Sequence, residues 1–399
     1  MARGERAGIG WGTIVVVLVA AALLAAWALG AFDRLLYLFQ VESSRPAQSV
    51  QVDRLASEQE DLYAYAQLSA DDRERYLILL DAFQSREPRA YPETDMDDLA
   101  RLRDCVLADH PELFYISGVS IQTTSNRGSG LVTGVMVEGQ YAFTAEEAAA
   151  LQPQIEAAAG ECLAGMPEGL DDYGKAKYLY EYLARTVEYD QGVSAGVASV
   201  EGESSGQTIV DALVYHRSVC AGYARAYQYL LKQVGVPCTY VTGQAAGENH
   251  AWCVTFLDGS WYHVDPTWGD PQFLGDDGVA ADLGRVNYDY LCVTDADIAT
   301  THALACPYPL PTCTSMSDNY YVREDLYLTA PDVEWAGSIV ERAVTNGEAK
   351  ARFRCADRDI YDQVVAELFA GQMIYRFIPG NSCRYLLGDE LCTVEVVFD

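Results

Sequence analysis

The chain has 399 residues, half of them apolar and about a fifth charged, with a formal net charge of −31 at neutral pH. This length exceeds one ordinary hydrophobic core and the apolar content excludes a disordered polymer, so two or three globular domains are expected. The acidic excess repels nucleic-acid phosphates and anionic membrane surfaces, which argues against nucleic acid as a partner and leaves solubility as the plain use of the charge.

In chain order, the first feature is an uncharged apolar run, Ile9–Phe32. At ~1.5 Å rise per residue a helix of this length crosses the hydrocarbon of a bilayer. Arg3 and Arg6 precede it, which predicts a cytoplasmic N-terminus, a single pass and an extracytoplasmic body. A cleaved signal ending near Ala26-Trp27-Ala28 is the alternative, giving a secreted protein. Residues 1–34 are thus read as tail and transmembrane helix, and 35–50 as a linker. A helix–strand domain follows over 51–165. It has predicted helices Leu55–Tyr65, Asp71–Phe83 (capped by Ser69), Asp95–Ala108 and Ala145 to about Ala164 (capped by Thr144), and strands Leu113–Ile116 and Leu131–Val137.

Residues 166–314 form the next predicted domain. Ala176, Leu179, Tyr180 and Leu183 recur at helical spacing within Tyr173–Arg185. Gln191–Gln207 is a Gly/Ser-rich loop, followed by helices Val210–Val214 and Ala221–Gln233, the second stopped by Gly235 and Pro237. Strands Thr239–Thr242, His250–Leu257 and Ser260–Val264 come next. Asp258-Gly259 is a tight turn whose pairing sets 252 opposite 265 or close to it. The acidic loop Gly269–Gly284 lacks the alternating ligand spacing of a calcium loop and reads as solvated. Prolines 307, 309 and 311 mark a boundary near Thr314. Beyond it, 315–399 alternates strand and helix through Ala351–Cys355, Tyr361–Leu368, Met373–Ile378, Tyr385–Leu387 and Cys392–Phe398, a small α/β domain.

Of eleven cysteines, ten remain if one is a free nucleophile, enough for five bridges in an exported protein. Cys238/Cys253 and Cys383/Cys392 are placed about predicted turns so that either pair is a candidate disulfide, with buried free thiols as the alternative.

Three residues carry the chemistry. Cys220 directly precedes a predicted helix, where the dipole and free N–H groups stabilise a thiolate. His250 begins a strand, and Asp265 ends the strand paired with it, near enough to hold the imidazole. Nucleophile, general base and orienting acid are the roles these side chains suit. His263 competes as base but adjoins Asp265 on one strand and reads as structural; His216 is a weaker alternative. The Cys220 backbone N–H and Gln207 are candidate oxyanion donors, and Tyr223 and Trp252 are candidate substrate contacts. Trp252, Trp261 and Trp268 are expected mainly to pack the core and groove walls.

The runs Val219-Cys220-Ala221-Gly222-Tyr223, Asn249-His250-Ala251-Trp252 and Trp261-Tyr262-His263-Val264-Asp265-Pro266-Thr267-Trp268 together resemble the transglutaminase-like superfamily, from about Asp171 to Pro271. Asp109-His110-Pro111-Glu112-Leu113-Phe114-Tyr115 and Asn319-Tyr320-Tyr321 resemble the flanks of its membrane-anchored or secreted bacterial members. The resemblance implies an α+β class, with a papain-like helix bearing Cys220 packed on an antiparallel sheet and α/β domains on either side. It implies Cys220 as nucleophile, His250 as base and Asp265 as orienting acid, with no metal and no cofactor. Cys253 stands where many relatives have Asn, and His216-Arg217-Ser218 replaces a Gly-Lys-type turn. The family includes acyl transferases, peptidases, amidases and inactive proteins and does not fix the reaction; a thiol-dependent peptidase or amidase on a protein or peptide substrate is expected because an exposed site defaults to water. A protein-glutamine acyltransferase and a non-catalytic binding module are the alternatives. Oligomeric state is not legible.

Overall fold

A computed structural model describes Val19 and residues 54–92, 95–125, 132–194, 205–270, 286–380 and 382–398. The predicted transmembrane run and linker lie outside these residues apart from Val19, as does most of the acidic loop. Among the described residues no helix is long and apolar enough to cross a membrane. The chain divides into two compact units, one of residues 1–107 and 115–144, the other of 108–114 and 145–399.

In the first unit the Ser69 hydroxyl accepts from Asp72 N at 3.2 Å, starting α1 (Ala70–Ser85). Tyr76, Leu79, Leu80 and Phe83 bury its inner face. β1 (Arg89–Tyr91), β2 (Ile116–Ser125) and β3 (Val132–Tyr141) make a sheet in the order β1-β3-β2, with α2 (Met96–Asp109) between the first two strands in sequence. Two expectations change. The helix expected over Leu55–Tyr65 is broken, with helix at 54–59 and again at Tyr63–Ala66. The strand expected at Leu113–Ile116 begins at Ile116 and runs to Ser125. Its alternating Val119, Ile121 and Thr123 are β-branched residues, which favour the pleated strand.

The second unit contains α3 (Ala145–Ala164) and α4 (Asp172–Thr186), the latter capped by Asp171, which accepts from Gly174 N at 2.8 Å. Ala176, Leu179, Tyr180 and Leu183 are all buried. The short strands β4 (Glu188–Tyr189) and β5 (Arg217–Ser218) pair in parallel around α5 (Ile209–Leu213), which a Thr208–Asp211 capping box opens. α6 (Cys220–Gln233) buries Tyr223, Ala224, Tyr227, Leu230 and Leu231. It packs on β6 (Cys238–Ala245) and β7 (Glu248–Leu257); Cys253 Sγ meets Ala224 O at 3.2 Å and Gln228 Nε2 meets Cys238 O at 3.4 Å.

With β8 (Ser260–Val264), β9 (Leu291–Val293) and β10 (His302–Leu304), these strands form an antiparallel sheet in the order β10-β6-β7-β8-β9. Two turns with positive φ at both central residues set its register: Ala246-Gly247 (51° and 83°) and Asp258-Gly259 (45° and 89°). α7 (Asp295–Ile298) and α8 (Tyr320–Arg323) follow in the chain. The C-terminal part adds the sheet β11-β12-β14-β13, from β11 (Tyr327–Leu328), β12 (Lys350–Cys355), β13 (Arg384–Gly388) and β14 (Thr393–Val397). Its core joins Phe353, Val394 and Val396 to α9 (Val333–Thr345) and α10 (Arg358–Val365). Met373–Arg376 is a 3-10 turn rather than part of an extended segment.

Neither expected disulfide forms, and the registers say why. The turn at Ala246-Gly247 pairs Cys238 with Thr255 and Tyr240 with Cys253, so the two cysteines sit diagonally, two positions out of register. β13 and β14 pair Arg384 with Val397, which places Cys383 near the opposite end of the hairpin from Cys392. All eleven cysteines are free thiols.

Candidate active site

Cys220 is the first residue of α6, after Val219 in extended conformation (ψ 178°). Val219 N donates to Gly206 O at 2.8 Å and Ser218 Oγ donates to the same carbonyl at 2.7 Å, so the strand before the helix is tied to the end of the preceding loop. A Cβ at Gly222 would lie 1.9 Å from Ser218 Oγ and 2.9 Å from Thr208 O. Glycine there lets the start of α6 seat against this segment, and the residue is buried. Cys220 itself stays partly exposed.

β7 carries His250 opposite Gly243 of β6, and the β7–β8 register pairs Cys253 with Val264, which puts 252 opposite 265. His250 Nε2 lies 2.7 Å from Asp265 Oδ2, with both side chains buried. An ionised carboxylate only accepts, so Nε2 carries the proton and donates it. The other nitrogen, Nδ1, is then the one left for Cys220, whose hydrogen bond and charge also act on the ring. Burial disfavours the imidazolium, but the charge and hydrogen bond of Asp265, followed by those of Cys220, outweigh it and raise the His250 pKa to about 10. Burial likewise pushes the Asp265 carboxyl up, yet the charge and hydrogen bond of His250 and the hydrogen bond of His302 hold it well below the usual carboxylate range.

Asp265 is held on both oxygens. Oδ1 accepts from Thr267 N at 2.9 Å and Trp268 N at 3.3 Å. Oδ2 accepts from His250 and, at 3.1 Å, from His302 Nε2. His302, one of five histidines, escaped sequence reasoning. It stands on β10, beyond the acidic loop, and no spacing ties it to the motifs.

The remaining candidates separate. Trp252 is fully buried and its Nε1–H donates to His263 Nδ1 at 3.0 Å, so it packs the core rather than touching substrate. Tyr223 is also fully buried, with its hydroxyl at Val187 O (2.8 Å) and Asp270 Oδ2 (2.6 Å); the expected substrate contact is corrected to a core tie. Gln207 is exposed and directly follows Gly206, which places it beside the N-terminus of α6. If its amide feeds the oxyanion, Gln207→Ala slows acylation about a hundredfold in single-turnover assays; an unchanged rate removes it from the site. His216 is exposed in a left-handed turn (φ 53°). His263 faces Asp295, 3.0 Å from Nε2, not Asp265, and burial lowers its pKa.

Among the described residues, two clusters bring metal-ligand atoms within 4.8 Å of one another: His250, Asp265 and His302, and His263, Asp295 and Cys313. In the second, Trp252 donates to His263 Nδ1, so neutral His263 carries its proton on Nε2, the atom facing Asp295. A cation at that nitrogen would have to displace the proton and leave an imidazolate.

A family model described as the transglutaminase-like superfamily matches residues 164–266. Kyphoscoliosis peptidase of Mus musculus is 27% identical over 140 residues, covering 32% of this chain and 20% of that protein. The Homo sapiens protein of the same name is 28% identical over 116 residues, covering 26% and 17%. The chain thus spans about a fifth of the length of these curated relatives. A solved structure described as a TGase is 16% identical with a TM-score of 0.27, covering 45% of this chain and 51% of that one, a likeness that carries no argument. Residues 164–266 thus form a transglutaminase-like core.

Proposed function

We propose that this protein is a thiol-dependent acyl-chemistry enzyme, a peptidase or amidase acting on protein or peptide substrates through Cys220, His250 and Asp265. The observation that carries the reading is the division of labour on the His250 ring: Nε2 on the Asp265 carboxylate, Nδ1 left for the Cys220 thiol at a helix N-terminus. Cys220 Sγ, its proton already held on His250 Nδ1, attacks the carboxamide or peptide carbonyl as a thiolate. The backbone N–H at the start of α6, with the Gln207 amide as its partner, donates to the developing oxyanion. His250 returns the proton to the leaving nitrogen, the C–N bond breaks, and a thioester remains. Water, deprotonated by His250, then attacks the thioester and expels the thiolate.

Hydrolysis is favoured over transfer to an amine because an exposed thioester meets water unless a pocket excludes it. The name of the related peptidases supports the same choice. The second reading, a protein-glutamine acyltransferase, rests on the same thioester. We further infer an extracytoplasmic body, tethered or secreted, from the apolar run Ile9–Phe32 and the two arginines before it.

The test is the rate of Cys220 alkylation by iodoacetamide from pH 5 to pH 9, with His250→Ala in parallel. A rate that is already high near pH 6 and falls at least tenfold in the variant is expected. A slow rate indifferent to His250 would move the protein to a non-catalytic binding module. A labelled primary amine added to the turnover mixture separates the two enzyme readings, since stable incorporation into an acceptor marks transfer.

A further inference from the structure

Asp265 Oδ2 receives two imidazoles, not one: His250 Nε2 at 2.7 Å and His302 Nε2 at 3.1 Å. His302 is built into place. Its Nδ1 lies 2.8 Å from Thr301 Oγ1, and a neutral ring that donates through Nε2 accepts there from the hydroxyl. Trp268, Trp252 and Tyr290 surround the ring with centroids 4.8, 5.0 and 5.5 Å away. The β10–β6 register sets His302 against Ala245 and Leu304 against Gly243. A Cβ at Gly243 would lie 2.2 Å from Ala303 O and 2.7 Å from the Trp252 ring, so glycine is what lets β10 approach closely enough.

We propose that His302 is a positioning residue for the Cys220–His250 pair, acting through Asp265. The inference rests on the proposed triad chemistry. A carboxylate held only by His250 and two backbone N–H groups keeps one lone pair of Oδ2 unfilled in a buried site, where an unmet acceptor is costly and the group is free to turn. The His302 N–H fills that position. It keeps the plane of Asp265 aligned with His250 Nε2, and so keeps Nδ1 aimed at the thiol. It also helps to keep Asp265 ionised, because donors to a carboxylate favour its charged form. The titratable groups around His302 are Asp265, His250, His263 and Tyr290. Of these, only Asp265 and His250 belong to the proposed triad.

The test compares His302→Gln, whose amide N–H still donates, with His302→Met, similar in size but without a donor, in the full chain. Cys220 alkylation is followed by mass spectrometry from pH 4 to pH 9, beside wild type and His250→Ala. His302→Met is expected to slow alkylation at pH 7 about tenfold and to move the acid limb of the profile upward by about half a pH unit. His302→Gln is expected to recover most of both losses. Equal slowing by Gln and Met with an unmoved acid limb would reduce His302 to packing and overturn the proposal. So would wild-type rates in both variants while His250→Ala is slow; that outcome leaves the triad reading standing. A wild-type rate indifferent to His250→Ala would instead remove the triad reading, and this inference with it.

Discussion

Cys220→Ala and His250→Ala are each expected to lower single-turnover acylation of a peptide or carboxamide substrate by at least ~10⁴-fold, and the double variant is expected to be no slower than either single one. Residues that act as a unit lose their effect together, so the second substitution finds nothing left to remove. The geometry gives the reason. In the proposed triad Asp265 holds His250 Nε2 at 2.7 Å, which leaves Nδ1 as the nitrogen for Cys220. Losses that multiply in the double variant would mean that thiol and imidazole work separately, which no nucleophile–base pair does.

Asp265→Asn is expected to cost about 10⁴-fold in kcat with the fold intact. Asn Oδ1 can still accept from Thr267 N and Trp268 N, but its NH₂ then faces His250 and His302, where both partners were donors. His250 must accept on Nε2, its proton moves to Nδ1, and it can no longer take the proton of Cys220. Asp265→Ala instead leaves buried donors without a partner and is expected to cost about 3–5 kcal/mol of stability. The pH dependence has a definite sign. The folded pKa of His250 is raised above its ordinary 6.5, so the stability it contributes is complete below that value and is lost as pH rises through about 10. The folded pKa of Asp265 is depressed below its ordinary 3.8, so its contribution is present above that value and is lost as pH falls through the lower folded one. Between about pH 4 and 6.5 both contributions are complete. Denaturant melts of wild type should therefore weaken from pH 7 toward pH 10, and those of Asp265→Asn should lose most of that slope. A slope unchanged in the variant would show that another group causes it.

Local signals in the chain determined much of this. Cys220 before a helix, the Asp258-Gly259 turn and the two strands it joins are short-range features, and the register of that turn is what brings His250 to Asp265. The helical face of Ala176, Leu179, Tyr180 and Leu183 was legible for the same reason, because periodicity reports burial within one element. Symmetry about a presumed turn centre was a weaker guide. It failed for Cys238 and Cys253 because the left-handed residues Ala246 and Gly247 pair Cys238 with Thr255, and for Cys383 and Cys392 because β13 pairs Arg384 with Val397.

Only the tertiary structure decided the rest. Exposure separates Gln207, at the surface beside the nucleophile, from Tyr223 and Trp252, which share its motifs but lie in the core; a motif names neighbours along the chain, not the direction of a side chain. His302 has no local signal at all. It reaches Asp265 because β10 returns to the free edge of β6 after the acidic loop and because Gly243 leaves room for it, a long-range pairing that no window of sequence contains.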